Sequence, residues 1–317
     1  MIPQNNQRDF LDMQTLVRLS AIPLFSRRAM LGSVSGMHAS PHRGSSVEFA
    51  EYRRYVPGDD LRRLDWRAYG RTDRFYVKEF EADTNLRCHL VLDTSGSMDF
   101  ASGELTKLDY ARRLLAAIAH LAVQQGDAVG LTSIAEEITQ TIPPRRTPSH
   151  LRGLYDVMEN TKAGGATRLV DRLHEFAETT RQRSLVVLAS DLFVDLEQLR
   201  SAIDHLRFAK HDVAIFHLLD RQELDFAFNR PTRFLDMEGD THVFADPEDV
   251  SQRYHTALGN YLRDVQDLML VSAVDYVRVV TDEDYEGVLR RFLIGRVRGG
   301  KAPASPGSGD SSKGVHG

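Results

Sequence analysis

A short run of oxygen-bearing side chains follows an apolar segment, and its spacing suits a hard metal cation. The run reads Asp93-Thr94-Ser95-Gly96-Ser97, and residues 86–92 before it are largely apolar. A buried strand that ends on an aspartate places oxygen donors at the carboxyl end of a sheet, where open α/β sheets bind ligands. Carboxylate and hydroxyl oxygens suit Mg²⁺, Mn²⁺ or Ca²⁺ better than soft metals. We therefore predict a divalent-cation site at Asp93, Ser95 and Ser97.

The elements that must position this site alternate between strand and helix from residue 86 onward. Strands are predicted at residues 86–92, 128–134, 183–191, 212–219 and 274–280, with an edge strand at 137–142 that Pro143 and Pro144 end. Helices are predicted at residues 107–125, 149–161, 170–180, 195–209, 246–270 and 284–294, with Ser149 as a cap and a hairpin over 234–244. This order is typical of a three-layer α/β fold, a mostly parallel sheet with helices on both faces.

Composition shifts divide the chain into four parts. Residues 1–45 hold an amphipathic helix and a Gly/Ser/Pro-rich loop, residues 46–85 hold short strands, residues 86–295 form the α/β domain, and residues 296–317 are a tail predicted to be disordered. Arginines crowd residues 53–74, among acidic neighbours. Two interpretations of this block stay open: a solvated charged face, or a recognition surface for an acidic partner.

Composition also limits the class of function. A net charge of -5 argues against a general nucleic-acid binder, which is usually basic. The single cysteine, Cys88, excludes an internal disulfide and a multi-cysteine metal site; it is expected to be a core thiol in a reducing compartment. No apolar run is long enough for a membrane span and no signal peptide is visible, so we expect a cytoplasmic protein.

The run at Asp93 resembles the first motif of a von Willebrand factor A domain, whose metal-ion-dependent adhesion site begins Asp-x-Ser-x-Ser. The resemblance implies two further ligands, a threonine and a second aspartate. Thr167 follows Gly164-Gly165-Ala166, similar to the Gly-Gly-Thr motif of these domains with one residue inserted, and Asp191 ends an apolar run. The resemblance thus implies Mg²⁺, or Mn²⁺ or Ca²⁺, held by Asp93, Ser95, Ser97, Thr167 and Asp191. One coordination position would be left for an acidic side chain of a partner.

A second resemblance lies just upstream. The block Tyr55-Val56-Pro57-Gly58-Asp59-Asp60-Leu61-Arg62-Arg63-Leu64-Asp65-Trp66, followed by Val77-Lys78-Glu79-Phe80, is similar to the signature of the bacterial family called domain of unknown function 58. In that family the block precedes a von Willebrand A-like domain of Rossmann-like topology, so the resemblance implies that fold with a β-rich extension at its side. It also implies a MoxR-type AAA+ ATPase as partner, in chaperone-like maturation of, or cofactor insertion into, a client protein.

Enzyme classes account for these residues less well. Aspartyl-phosphate phosphatases carry Asp-x-Asp, whereas Ser95 stands at the second position here. Neither Ser95 nor Ser97 lies in a Gly-x-Ser-x-Gly elbow, and no Walker A loop, Rossmann glycine fingerprint or His-Glu-x-x-His motif is present. We therefore expect a non-catalytic protein. Two alternatives remain: a metal-dependent phosphoesterase that uses the same oxygens, and a structural scaffold without a bound metal.

Overall fold

The computed structural model describes residues 8–24, 47–54, 70, 76–82, 86–228, 230–239 and 242–300. The Gly/Ser/Pro-rich loop, most of the arginine-rich block and the tail beyond residue 300 lie outside these ranges. The strands are β1 (Val47–Arg54), β2 (Tyr76–Ala82), β3 (Arg87–Asp93), β4 (Ala128–Ile134), β5 (Ile138–Arg145), β6 (Leu185–Ser190), β7 (Asp212–Leu219), β8 (Thr232–Leu235), β9 (His242–Ala245) and β10 (Asp275–Val280).

Six of these strands form the central sheet, in the order β10-β7-β6-β3-β4-β5. Every neighbouring pair is parallel except β4 and β5, which pair antiparallel at the edge. The strands β1 and β2 form a separate antiparallel pair, and so do β8 and β9. The mostly parallel sheet with an antiparallel edge strand confirms the prediction from the alternating pattern.

Helices cover both faces of the sheet. They are α1 (Met13–Leu19), α2 (Lys107–Gln124), α3 (Pro148–Asn160), α4 (Leu169–Thr179), α5 (Leu196–Phe208), α6 (Arg221–Asp225), α7 (Pro247–Val271) and α8 (Tyr285–Gly300), with a 3₁₀ turn at Gly96–Asp99. One apolar cluster joins α1, α2, α3 and α8 to the sheet, and a second joins α4, α5 and α7 to it. The three-layer architecture is therefore confirmed.

Burial explains why the central strands read as continuous apolar runs. Every residue of β4, β6 and β7 is buried, as is β3 after its first residue. A parallel sheet covered on both faces leaves no solvent-facing side, so period-two alternation disappears. Cys88 lies within β3 as the predicted core thiol, and burial raises the pKa of that thiol.

Local boundaries differ from the prediction where proline and capping residues are involved. Pro143 and Pro144 do not end β5, which runs to Arg145; an edge strand tolerates proline because one of its sides needs no ladder donor. The cap of α3 is Thr147 rather than Ser149, and its hydroxyl accepts a hydrogen bond from the amide of His150 at 3.3 Å. Pro148 then occupies the first turn, where its missing N–H costs nothing.

The last helix also extends beyond the predicted start of the tail at residue 296. Helix α8 continues to Gly300, and Arg296 is buried. Its guanidinium donates to the carboxylates of Asp212 and Asp275, at the start of β7 and β10. A charge this deep in a protein requires such partners, and they come from distant strands that composition alone does not reveal. Among the helices that the structure describes, none has both the length and the apolar character that a membrane span requires.

Candidate functional site

The carboxylates of Asp93 and Asp191 lie together at the carboxyl end of the central sheet. Asp93 ends β3, and Asp191 follows the last residue of β6, the adjacent parallel strand. Both side chains are buried. Burial raises the pKa of Asp93 to about 6, and the negative charge of Asp191 contributes to the rise against the hydrogen bonds from Ser190 and Ser95. The two strand ends that the sequence picks out therefore place both acids together.

Two hydrogen bonds fix the orientation of the Asp93 carboxylate. Its Oδ1 accepts from the amide of Ser95 at 3.0 Å, and its Oδ2 accepts from the hydroxyl of Ser190 at 2.6 Å. The Ser190 oxygen in turn accepts from the amide of Leu192 at 2.9 Å. Ser190 was not among the predicted site residues. The available signal was a hydroxyl at the end of an apolar run, immediately before a candidate ligand.

The two predicted serines lie two and four residues after Asp93, on a tight turn over residues 95–99 that we call the serine turn. The hydroxyl oxygens of Ser95 and Ser97 lie 3.1 Å apart, where the 3₁₀ turn at Gly96–Asp99 begins. Ser95 is fully buried and Ser97 is half-buried. The turn thus places two hydroxyls directly after the Asp93 carboxylate, with Ser97 facing partly outward.

The loop that carries Thr167 is bound to this turn through its backbone. The amide of Gly164 donates to the carbonyl of Thr94, and the amide of Gly96 donates to the carbonyl of Gly165, both at 2.9 Å. Gly165 has φ of +81°, a left-handed conformation that favours glycine. The amide of Thr167 donates to Oε2 of Glu238 at 2.8 Å. Thr167 therefore lies beside the site, on a loop held against the serine turn.

A buried lysine that the motif does not contain also reaches this site. The ammonium of Lys107, the first residue of α2, donates to Oδ2 of Asp191 and to Oε1 of Glu223, each at 2.7 Å. Its side chain is only 1% exposed. Burial opposes the charge, but the two carboxylates outweigh this effect and raise the pKa of the ammonium above its ordinary value. Lys107 thus neutralises one of the two acids that a cation would use.

The hairpin loop between β8 and β9 completes the surroundings. A Cβ placed on Gly96 would lie 2.1 Å from the carbonyl oxygen of Met237, so this loop lies directly against the serine turn. Beside it is a cavity of about 490 Å³, to which Ser97, Glu223 and Glu238 contribute polar walls. Its apolar walls come mainly from aromatic side chains: Phe100, Phe193, Phe226, Phe228, Phe234 and Tyr254.

The donor set fits a hard divalent cation if hydroxyls take part. No three His, Cys, Asp or Glu side chains within the described ranges converge closely enough to hold a metal by themselves. Asp93 and Asp191 supply two carboxylates, and Ser95 and Ser97 add two hydroxyls on the same turn. Mg²⁺ keeps several waters and commonly uses only one or two carboxylates. The set therefore suits such an ion, with Lys107 as a competing positive charge.

Known proteins resemble the chain over most of its length. The family model described as "Protein of unknown function DUF58" matches residues 51–260. The uncharacterized protein Rv1480 of Mycobacterium tuberculosis is 25% identical over 304 residues, which are 95% of each chain. Among solved structures, the conserved hypothetical protein BatB from Bacteroides thetaiotaomicron has a TM-score of 0.44 at 11% identity, over 68% of this chain and 100% of that one. The SpRpn10 VWA domain has a TM-score of 0.41 at 12% identity, over 66% and 95%.

Proposed function

The chain belongs to the DUF58 family of proteins of unknown function, and we propose that it is a non-catalytic binding module that captures an acidic side chain of another protein through a divalent cation. The observation that carries this proposal is the meeting of Asp93 and Asp191 at one sheet edge, beside the hydroxyls of Ser95 and Ser97. The cation would be Mg²⁺, or Mn²⁺ or Ca²⁺, and Thr167 would take part from the adjoining loop. A carboxylate that completes the coordination sphere can be exchanged, as reversible binding requires.

The arrangement of Asp93 supports a role in holding a cation. Its two carboxylate oxygens accept hydrogen bonds from the Ser95 amide and the Ser190 hydroxyl, which fix the orientation of the carboxylate. Each oxygen keeps a second lone pair that a cation can use.

The partner in this proposal is a MoxR-type AAA+ ATPase, with a client protein whose maturation the pair assists. This choice is supported by the similarity of the Tyr55-to-Trp66 block to the family signature. The partner or its client would offer the acidic side chain. An external ATPase also agrees with the sequence, which contains no Walker A loop of its own.

The test is metal-dependent capture of the purified ATPase from the same organism. We expect binding in Mg²⁺ that is lost in chelator, and loss of at least tenfold in affinity for Asp93→Ala and Ser95→Ala. Circular dichroism and thermal denaturation would show that both variants remain folded. The matched control is Asp225→Asn, an exposed acid on α6. Equal capture by the wild type and Asp93→Ala would contradict the proposal, as would calorimetry that detects no Mg²⁺ or Mn²⁺ binding to the wild type at millimolar metal.

One observation favours a second candidate, a metal-dependent phosphoesterase. The carboxylates of Asp93 and Asp191, with the hydroxyls of Ser95 and Ser97, would hold a cation that can polarise a phosphoryl oxygen. Activity on a generic phosphoester such as p-nitrophenyl phosphate, measured with Mg²⁺, separates the two functions. Turnover that Asp93→Asn abolishes would favour the enzyme, whereas the binding module predicts no turnover in either protein.

A further inference from the structure

Met237 and Glu238, in the described part of the β8–β9 hairpin loop, lie over the serine turn of the candidate site. The carbonyl of Met237 comes so close to Gly96 that no larger residue fits there without a shift. Gly96 separates Ser95 from Ser97, so the loop lies over the middle of the Asp-x-Ser-x-Ser motif. Hairpin residues from Phe234 to Glu238 also form one wall of the cavity that Ser97 lines. A partner that approaches the motif from this side therefore meets the hairpin first.

Glu238 brings an acidic side chain of the chain itself to the same place. Its Oε2 accepts a hydrogen bond from the amide of Thr167 at 2.8 Å. Its other oxygen, Oε1, is buried and accepts no hydrogen bond from the residues that the structure describes. A buried carboxylate oxygen without a partner is unfavourable, because it has given up its hydrogen bonds to water. A carboxylate held in this way beside a cation site is itself a candidate for interaction with the cation.

Besides these contacts of its loop, an aromatic cluster attaches the hairpin to the rest of the molecule. Phe234 stacks on Phe226 with ring centroids 5.6 Å apart, and Phe226 stacks on Tyr254 of α7 at 4.3 Å. Beyond this cluster the hairpin has two four-residue strands, and the large side chains of Leu235 and Phe244 are exposed. A two-stranded hairpin is marginally stable alone, so we expect this element to open more readily than the central sheet.

We propose that the β8–β9 hairpin is an internal cover of the cation site and that Glu238 is the acid with which it competes against an acidic side chain of a partner. This inference rests on the proposed function and describes how the hairpin would regulate the binding of a partner. A tethered carboxylate has an effective concentration in the millimolar range. A partner must therefore offer a better-placed acid, or further contacts that detach the hairpin, before it reaches the site.

The test measures how well a free carboxylate reaches the metal-loaded protein. The probe is acetate, titrated by calorimetry into protein saturated with Mn²⁺, with water proton relaxation as a second readout of metal hydration. Glu238→Ala is expected to bind acetate at least tenfold more tightly than the wild type. Glu238→Gln keeps an oxygen for the Thr167 amide but loses the charge, so an intermediate gain is expected. Asp225→Asn removes an exposed charge elsewhere and should behave as the wild type.

A second pair of variants tests whether the β8–β9 hairpin covers the site, and both variants leave Glu238 unchanged. Phe234→Ala removes the aromatic anchor and should also strengthen acetate binding, by at least threefold. Phe244→Ala alters the same hairpin at a side chain that is 71% exposed and should have no effect. Circular dichroism and unchanged Mn²⁺ saturation would show that each variant retains its fold and its metal site.

The outcomes separate this inference from the function beneath it. Acetate affinity that stays at the wild-type value in both Glu238→Ala and Phe234→Ala overturns the cover, even if Mn²⁺ binds the wild type and Asp93→Asn abolishes that binding. Failure of Mn²⁺ to bind the wild type overturns both the cover and the proposed function. Tighter acetate binding in both variants, with the two controls unchanged, supports the cover.

Discussion

The protonation of Asp93 makes the stability of the metal-free protein depend on pH. Burial, with the charge of Asp191 added, raises the pKa of Asp93 from its ordinary 3.8 to about 6. The folded state then binds this proton more tightly than the unfolded state, so the contribution of Asp93 to the free energy of unfolding falls as the pH rises from about 4 to about 6. Above that range the metal-free protein contains a buried charge that the hydrogen bonds from Ser95 and Ser190 offset only in part.

We therefore expect Asp93→Asn to stabilise the metal-free protein at pH 7.5, by about 1–3 kcal/mol. The amide retains an oxygen for the Ser95 amide, its N–H donates to the Ser190 oxygen where the carboxylate had accepted from it, and the charge is removed. Urea denaturation in chelator at pH 5 and pH 7.5 measures the effect, and the gain should shrink at the lower pH. A variant that is less stable than the wild type at both values would contradict the assignment.

Lys107 supplies the positive charge of the site in the metal-free protein. Lys107→Met leaves Asp191 and Glu223 without this ammonium, so we expect a loss of about 3–5 kcal/mol in the free energy of unfolding in chelator. Mg²⁺ should bind the variant more tightly than the wild type, because Asp191 is no longer neutralised. Calorimetry and thermal denaturation with and without Mg²⁺ measure both effects. Lys162→Met, at an exposed lysine, is the control. Weaker Mg²⁺ binding by Lys107→Met would contradict this expectation and show that Lys107 helps the site to bind the ion.

At the scale of elements, the contact between the hairpin and the serine turn depends on a single glycine. Gly96→Ala would push its Cβ against the Met237 carbonyl, and we expect a loss of about 1–3 kcal/mol. Hydrogen exchange should accelerate at the amides of β8 and β9 and leave β3 and β6 protected. Gly164→Ala is the matched control, because nothing lies within 4 Å of a Cβ at that position of the adjoining loop. Unchanged exchange in the hairpin of Gly96→Ala would argue that this contact does not hold it.

The sequence predicts those parts of the site that depend on where strands end. Asp93 and Asp191 each follow an apolar run, and parallel strands necessarily bring their carboxyl ends to one edge. Glu238 could not be placed in this way, because a Glu-Gly-Asp turn reads as solvated, and its contact with Thr167 spans 71 positions. The sequence contains one weak indication of the role of Lys107. A lysine in the first turn of a helix interacts unfavourably with the helix dipole, so a nearby negative charge is needed to stabilise it there.

At the scale of the whole molecule, buried charges lie at both ends of the central sheet. Asp93, Asp191 and Lys107 lie at its carboxyl end, where β3 and β6 finish. At the opposite end, Asp212 and Asp275 begin β7 and β10 and pair with Arg296. The apolar layers between the two groups contain the packed core, so each group can be altered without direct contact with the other.

This separation predicts different consequences for two truncations of the last helix. A chain that ends at residue 295 loses Arg296, and with it the cation between two buried carboxylates, so we expect its free energy of unfolding to fall by about 3–5 kcal/mol. A chain that ends at residue 300 keeps the ion pairs and should match the full chain. Urea denaturation measures both. Mg²⁺ affinity should be equal in all three proteins while they remain folded, since Arg296 lies at the far end of the strands from Asp93; reduced affinity in the shorter chain would show that the two ends are coupled.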